Sequence, residues 1–366
     1  MRIALFIIII IHGLLHILGF VKGFSLKEIK ELTIPISKSM GLIWLITSIL
    51  YIAYGILFLL NHKNAWLIGF IAVLLSQILI IIFWKDAKFG TLPNIIVLIV
   101  SLISYGHFNF HKLTLLETNT ILNQSKTSKV NLLTETRISE LPKPVKRWLK
   151  NSGAIGKPII TKGKVIQEAK MKMNTDQKNW LEAKAVQYSI MDTPSFIWIV
   201  DVKMNKLVNF QGRDKFYDGK GEMLIKLNAL VKVVNEKGEK LNEGTMQRYL
   251  GEMVWFPSLA VSEYITWEQI NDSTAKATMD YQGTKATGTF FFNSNGDFIK
   301  FSADRFKGNE ADSKRYEWVL TVDDYKTFEG IKVPSKMKAT WKLENMDWNW
   351  LKLEIKDIKY NENVLP

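Results

Sequence analysis

The stretch Gln247–Pro257, "QRYLGEMVWFP", decides the fold. It lies between two long tracts of period-two alternation, yet its own spacing is helical. Arg248 and Glu252 stand four apart, the distance at which helical side chains meet. Tyr249, Leu250, Met253, Val254 and Phe256 can share one face, Trp255 adds a second large aromatic, and Pro257 ends the turn. A sheet protein has reason to interrupt itself in this way if its sheet has an apolar face that needs a stopper. The segment is then expected to be a short plug helix, with Trp255 and Phe256 filling the mouth of a concave sheet.

Working outward, the residues before it read as strands: "KGKVIQEAKMKM", "NWLEAKAVQYSIM", "SFIWIVDVKM", "KLVNFQGRDKFYDGKG" and "MLIKLNALVKVV". Six more follow it, among them "TKATGTFFFN", "DFIKFSADRF" and "WLKLEIKDIKY". Asp, Asn, Gly and Pro turns separate them. Eleven strands with hardly a helix imply an antiparallel sheet, wet on one face and apolar on the other. An apolar face must be covered by closure or by a borrowed helix. No run of helix-forming sequence is long enough to cover it from outside, so residues 137–366 are expected to form a β half-barrel around the plug. Ahead of the sheet, Val145, Trp148 and Leu149 fall at helical spacing after two prolines and predict a short amphipathic helix, Pro144–Asn151. The polar segment "KLTLLETNTILNQSKTSKVNLLTE" lacks steady periodicity, so residues 111–136 read as a linker.

The first 110 residues have a different character, which makes the chain multi-domain. Four apolar segments, Ile3–Val21, Met40–Leu60, Ala65–Trp84 and Leu92–Phe108, approach the roughly 20 residues that cross a bilayer as helix. They predict a four-helix transmembrane bundle. Trp44, Trp66 and Trp84 fall at segment ends, where aromatic rings settle at the lipid boundary. The loops after the first and third segments carry six lysines against three basic residues near the opposite side. By the positive-inside bias this places both termini, and the β domain, on the extracytoplasmic side of a bacterial inner membrane. His12 and His16 in the first segment are expected to make interhelical hydrogen bonds or to sit at the membrane interface rather than to bind metal or haem.

Charge and cysteine content narrow the function further. The formal charge is +13 over 366 residues, and the basic side chains are scattered lysines rather than clusters, which argues against a nucleic-acid partner. There is no cysteine, so disulfides, thiolate metal sites and cysteine nucleophiles are excluded. The β region contains no histidine and no phosphate loop or hydrolase elbow. No catalytic residue, metal ligand or cofactor is assigned.

"RYLGEMVWFP", together with "LPKPVKRWL", Trp180, "PSFIW", "DGKGEM" and "ITWEQI", resembles an uncharacterised bacterial family, a domain of unknown function often found behind membrane segments. The resemblance spans about Leu141 to Tyr360 and makes Arg248, Tyr249, Glu252, Trp255 and Pro257 its hallmark positions. The strand-rich form is similar to the half-barrel carriers of lipoproteins and lipids of the LolA and LolB kind. The four short helices are similar in hydropathy to small membrane proteins of the DoxX type.

The candidate ligand-binding residues are Arg248, Tyr249, Glu252, Trp255, Phe256, Trp198, Trp267 and Arg305. Concave apolar sheets with a helix at the mouth can hold acyl chains. The expected partners are therefore membrane lipids, a hydrophobic or amphiphilic ligand, or a lipidated envelope protein. Two alternatives stand beside this. One is a carboxylate-dependent envelope enzyme using Glu252 or Asp304 with Arg248 or Arg305; Asp201 is a third acid, at a strand edge or in a cavity. The other is a protein-docking or signalling module.

Overall fold

The computed structural model describes residues 2–125, 131–361 and 364. The chain divides into two units: Met1–Lys112 with Asn228–Leu230, and Leu113–Leu227 with Val231–Pro366.

In the first unit the helices are α1 (Arg2–Leu15), α2 (Ile17–Gly23), α3 (Lys38–Leu59), α4 (Ala65–Ile82), α5 (Trp84–Ala87) and the start of α6 (Thr91–Leu122). Four stretches are long and apolar enough to cross a membrane: Arg2–Gly23, Lys38–Leu59, Ala65–Ile82 and Trp84–Leu122. Large aliphatic side chains such as Ile3, Leu42, Leu74 and Ile81 point outward, as lipid contact requires and water would penalise. Polar groups face inward instead. His12 Nε2 lies 2.8 Å from Asn94 Oδ1, and His16 Nε2 lies 2.9 Å from Ser76 Oγ. Tyr51 donates to the same Asn94 oxygen. The two histidines thus tie α1 and the turn after it to α4 and α6. Trp44 faces inward rather than outward: it is buried against Phe83 and His16, in space that a Cβ at Gly19 would occupy.

The second unit is built on one sheet of thirteen antiparallel strands among the described residues. They are β1 (Lys162–Met171), β2 (Leu181–Ile190), β3 (Ser195–Lys203), β4 (Asn209–Tyr217), β5 (Lys220–Leu227) and β6 (Val231–Lys237). After the central helix come β7 (Ile265–Asn271), β8 (Thr274–Tyr281), β9 (Thr284–Phe292), β10 (Phe298–Phe306), β11 (Arg315–Phe328), β12 (Ile331–Lys342) and β13 (Asp347–Tyr360). The order is β6-β5-β4-β3-β2-β1-β13-β12-β11-β10-β9-β8-β7, two meanders joined where β1 pairs with β13. Every connection but one is therefore between neighbours. The exception runs from one edge of the sheet to the other.

That connection contains α8 (Glu239–Gly251), followed by the 3-10 turns Glu252–Trp255 and Pro257–Val261. Glu239 in its first turn and Arg248 in its last suit the helix dipole. The helix touches β4, β5 and β6 from one limb of the sheet and β8, β9 and β10 from the other. The sheet therefore curls around it. The Thr284 hydroxyl donates to the Gly219 carbonyl at 2.7 Å, joining the β8–β9 turn to the β4–β5 turn. The "DGKGEM" glycine at 219 thus serves a hairpin.

Two parts of the sequence reading need correction. The linker expected over 111–136 is structured along its described residues: α6 continues to Leu122, and Leu133 is fully buried, as is Ile138 just beyond. Residues 126–130 lie outside the described residues. Sparse aliphatics in a polar background conceal such burial, because few anchors suffice where a sheet already presents a groove. The sheet's outer face is also covered in one place, by the end of α6. Ile121 packs with Tyr188, Ile190 and Ile197 there. Glu117 pairs with Arg213 at 2.9 Å and Lys215 at 3.0 Å, and both also reach Glu222. The amphipathic helix is found as α7 (Lys143–Asn151), with Val145, Trp148 and Leu149 buried.

Burial alone would raise the Glu222 carboxyl, but hydrogen bonds from Lys237 and Lys215 and the charge of Arg213 outweigh it and hold it down to about 2. A depressed folded-state value adds stability that is fully present above the ordinary 4.5 and is lost as pH falls toward about 2. Acid titration of unfolding, followed by β-sheet circular dichroism, should therefore show a shallower loss across this window for Glu222→Gln than for the parent. Parallel curves would contradict this role.

Candidate functional site

Between α8 and the inner face of the curled sheet lies a cavity of about 380 Å³. Strand alternation builds its lining. Gln167, Ala169 and Met171 of β1 and Trp198, Val200 and Val202 of β3 all face it, each two residues from the next. On the other limb Trp318, Leu320, Met337 and Ala339 do the same. Along β1 the lining runs from Gln167 to Met171, a span of about 13 Å at strand spacing, and continues to Met173 beyond the strand. Met173 is 37% exposed, the rim of the lining on that side.

Its principal polar feature is centred on Arg248, which reaches from α8 to the sheet. Its Nε donates to Glu252 Oε1 at 2.7 Å, one NH group to Asp214 Oδ2 at 2.8 Å and the other to Gln187 Oε1 at 3.0 Å. Gln187 in turn donates to Glu252 Oε2 at 2.7 Å, which closes the ring. The guanidinium also lies over the rings of Trp198 and Phe196, at 4.8 and 5.0 Å. Burial works against its charge, but Glu252 and Asp214 more than offset this and hold its pKa above the usual arginine range. Asp214 shows the opposite balance. Burial pushes its carboxyl up further than Arg248 pulls it down.

Arg305 is the second cation. Its guanidinium lies 4.7 Å from the Trp318 ring and 5.7 Å from that of Trp341. Burial, and then the like charge of Arg248, push it down to about 10, so it keeps its charge at neutral pH. Gly244 makes room for it: a Cβ there would stand 2.9 Å from Arg305 Nε. A glycine inside a helix costs about 1 kcal/mol relative to alanine. Close passage over Arg305 gives that cost a reason.

Of the residues singled out in the sequence, Arg248, Glu252, Trp255, Trp198 and Arg305 come together on the cavity lining. Three do not. Tyr249 is buried between Phe196 and Phe216 and donates to the Ile190 carbonyl at 2.7 Å. Phe256 fills the space beside Gly163 and packs on Tyr360, while Trp267 packs on Phe290 and donates to the Ala260 carbonyl. Trp255 does not fill the mouth. Its carbonyl accepts from Tyr360, the partner of Gly163 near the start of β1, so it closes the side opposite Met173. Asp201 and Asp304 are exposed, and Asp201 lies on an interior strand rather than an edge. Sequence reasoning missed Asp214, Gln167 and Gln187. Asp214 carried a legible signal, since it alternates with Gly212 and Phe216 on one strand face.

Fold and site together define a protein with four membrane-length apolar helices and a curled antiparallel sheet built around an apolar cavity. Residues 131–353 match the model of a family of unknown function, DUF6544, and the chain belongs to that family. Among solved structures it is similar to a LolA superfamily protein, NE2245, from Nitrosomonas europaea. The two are 10% identical with a TM-score of 0.34, over 61% of this chain and 97% of that one. A search of curated proteins finds no match.

Truncating Glu252 removes the acceptor of Arg248 Nε and one acceptor of Gln187 Nε2 in a buried setting, while Arg248 keeps Asp214 and Gln187. Glu252→Ala should therefore cost at least about 2 kcal/mol in unfolding free energy, at about 1–3 kcal/mol for each donor left unpaired. Asp214→Asn keeps an oxygen for Arg248 and removes a carboxylate that burial already disfavours, so its cost should be at most about 1.5 kcal/mol. Denaturant titration of both variants checks the order. Equal costs would contradict the asymmetry.

Proposed function

We propose that the chain is a bacterial inner-membrane protein whose four-helix bundle holds an extracytoplasmic β half-barrel, and that this half-barrel binds a hydrophobic or amphiphilic, lipid-like ligand or a lipidated partner. The observation that carries the reading is the cavity: a space of about 380 Å³ lined chiefly by Met, Leu, Val and Trp side chains. Its volume is within the range of small-molecule sites. An empty apolar cavity inside a core is costly, because its walls forfeit dispersion contacts. A chain-like apolar occupant restores them. Methionines at 171, 173, 223 and 337 suit such an occupant, since the unbranched thioether adapts to irregular shapes. The lipid-facing aliphatics of the helices support membrane anchorage, and the lysine-rich loops support the extracytoplasmic placement.

A carboxylate enzyme is the second reading, favoured by one observation: Asp214 and Glu252 share Arg248, and Asp214 is displaced upward. Against it, both Glu252 oxygens are engaged, one by Arg248 and one by Gln187. The arrangement braces the helix.

Native mass spectrometry of the full chain released from non-ionic detergent tests the binding reading. The parent is expected to retain one apolar adduct that a variant filled by Ala169→Phe and Ala339→Phe loses, with its β-sheet circular dichroism unchanged. A parent with no adduct, or a filled variant that keeps it, overturns the reading.

A further inference from the structure

The cavity contains a cation that the chain does not pair. Among the described residues Arg305 has no carboxylate within ion-pair distance and makes no side-chain hydrogen bond; it is held by the faces of Trp318 and Trp341. Arg248, beside it, differs in having an acceptor at each of its three nitrogens. A guanidinium presents five N–H donors in a planar fork that matches an oxyanion. Arg305 offers that fork unused, on the wall of an apolar space.

The other unsatisfied polar atoms point to the same chemistry. On the lining, the buried side-chain atoms without a partner among the described residues are Gln167 Nε2 and the indole N–H groups of Trp318, Trp348 and Trp350. All are donors. A buried donor without an acceptor costs about 1–3 kcal/mol, so the polar imbalance of this lining is towards donors.

The approach is basic as well. Lys172 is itself on the lining, and Lys307 stands over the lining residue Trp348 at 5.3 Å. Among the described residues neither of the two pairs with a carboxylate. They give the Met173 side a positive field that draws in anions.

We infer that the cavity takes an amphiphile bearing a single oxyanion, a carboxylate or a phosphate ester, with Arg305 as the headgroup residue and the apolar lining as the chain site. This rests on the lipid-like reading above. One negative charge is favoured over two, because Asp214 and Glu252 act on Arg305 and would repel a second. Gly244 is the positioning residue, since a larger side chain there would displace the guanidinium.

The test uses the full chain in nanodiscs of zwitterionic lipid and three diazirine-bearing probes of equal chain length: a fatty acid, an alkyl phosphate and a fatty alcohol. Photolabelling is mapped by peptide mass spectrometry. In the parent chain the acid, the phosphate or both should label peptides of β1, β3 and β12 at concentrations about tenfold below the alcohol, the worth of one charge-assisted contact. Which anion does so separates a free fatty acid from a phospholipid source. Arg305→Met should abolish the preference and leave alcohol labelling unchanged, while Arg305→Lys should keep part of it. Equal labelling by all three probes in the parent overturns the headgroup assignment and leaves the cavity reading intact. Absence of labelling in those strands by any probe overturns both. Should Arg305→Met fail to fold, the parent comparison and Arg305→Lys still decide.

Discussion

The contact on which the β unit depends is the buried ring of Arg248, Glu252, Asp214 and Gln187. It fastens the last turn of α8 to β2 and β4 on one limb of the sheet. The same helix presents two glycines to the other limb, Gly244 at Arg305 and Gly251 at Phe301. One side of α8 is thus held by charge-assisted hydrogen bonds and the other by close backbone approach. A twisted antiparallel sheet of thirteen strands tends to curl of itself. The helix, in contact with both limbs, gives it something to curl around.

This explains why a site that looks chemical is better understood as a brace. A buried guanidinium with two carboxylates resembles a catalytic arrangement, yet its polar groups mostly satisfy one another. Buried ionic groups lend little net stability when complete and cost several kcal/mol when broken. What they secure here is the position of a helix whose apolar side, with Trp255, closes the cavity. Arg305 stands outside this ring, the one cation of the pair left facing the space that the helix encloses.

How far the sequence foretold this can be argued residue by residue. Period-two alternation placed Trp198, Val200 and Val202 on one face of β3, and helical spacing paired Arg248 with Glu252. Both are local patterns, so both were legible. Asp214 and Gln187 lie 34 and 61 positions from Arg248, and only the strand order brings them to it. The roles of Tyr249, Phe256 and Trp267 were equally hidden. An aromatic residue beside a plug can face the cavity or the packed interior behind it, and spacing alone does not distinguish the two. The burial of Leu133 and Ile138 was concealed by polar neighbours, and the end of α6 by a Thr- and Asn-rich composition that masks its helical register.

The central claim is that the Arg248–Trp255 segment is locked inside the curled sheet. Hydrogen–deuterium exchange of the full chain measures this directly. The amides of this segment should exchange as slowly as those of the central strands β1 and β13, opening only with the whole β unit. Exchange as fast as that of the exposed β3–β4 turn would show a helix that lies loosely on the sheet, and the account would be wrong.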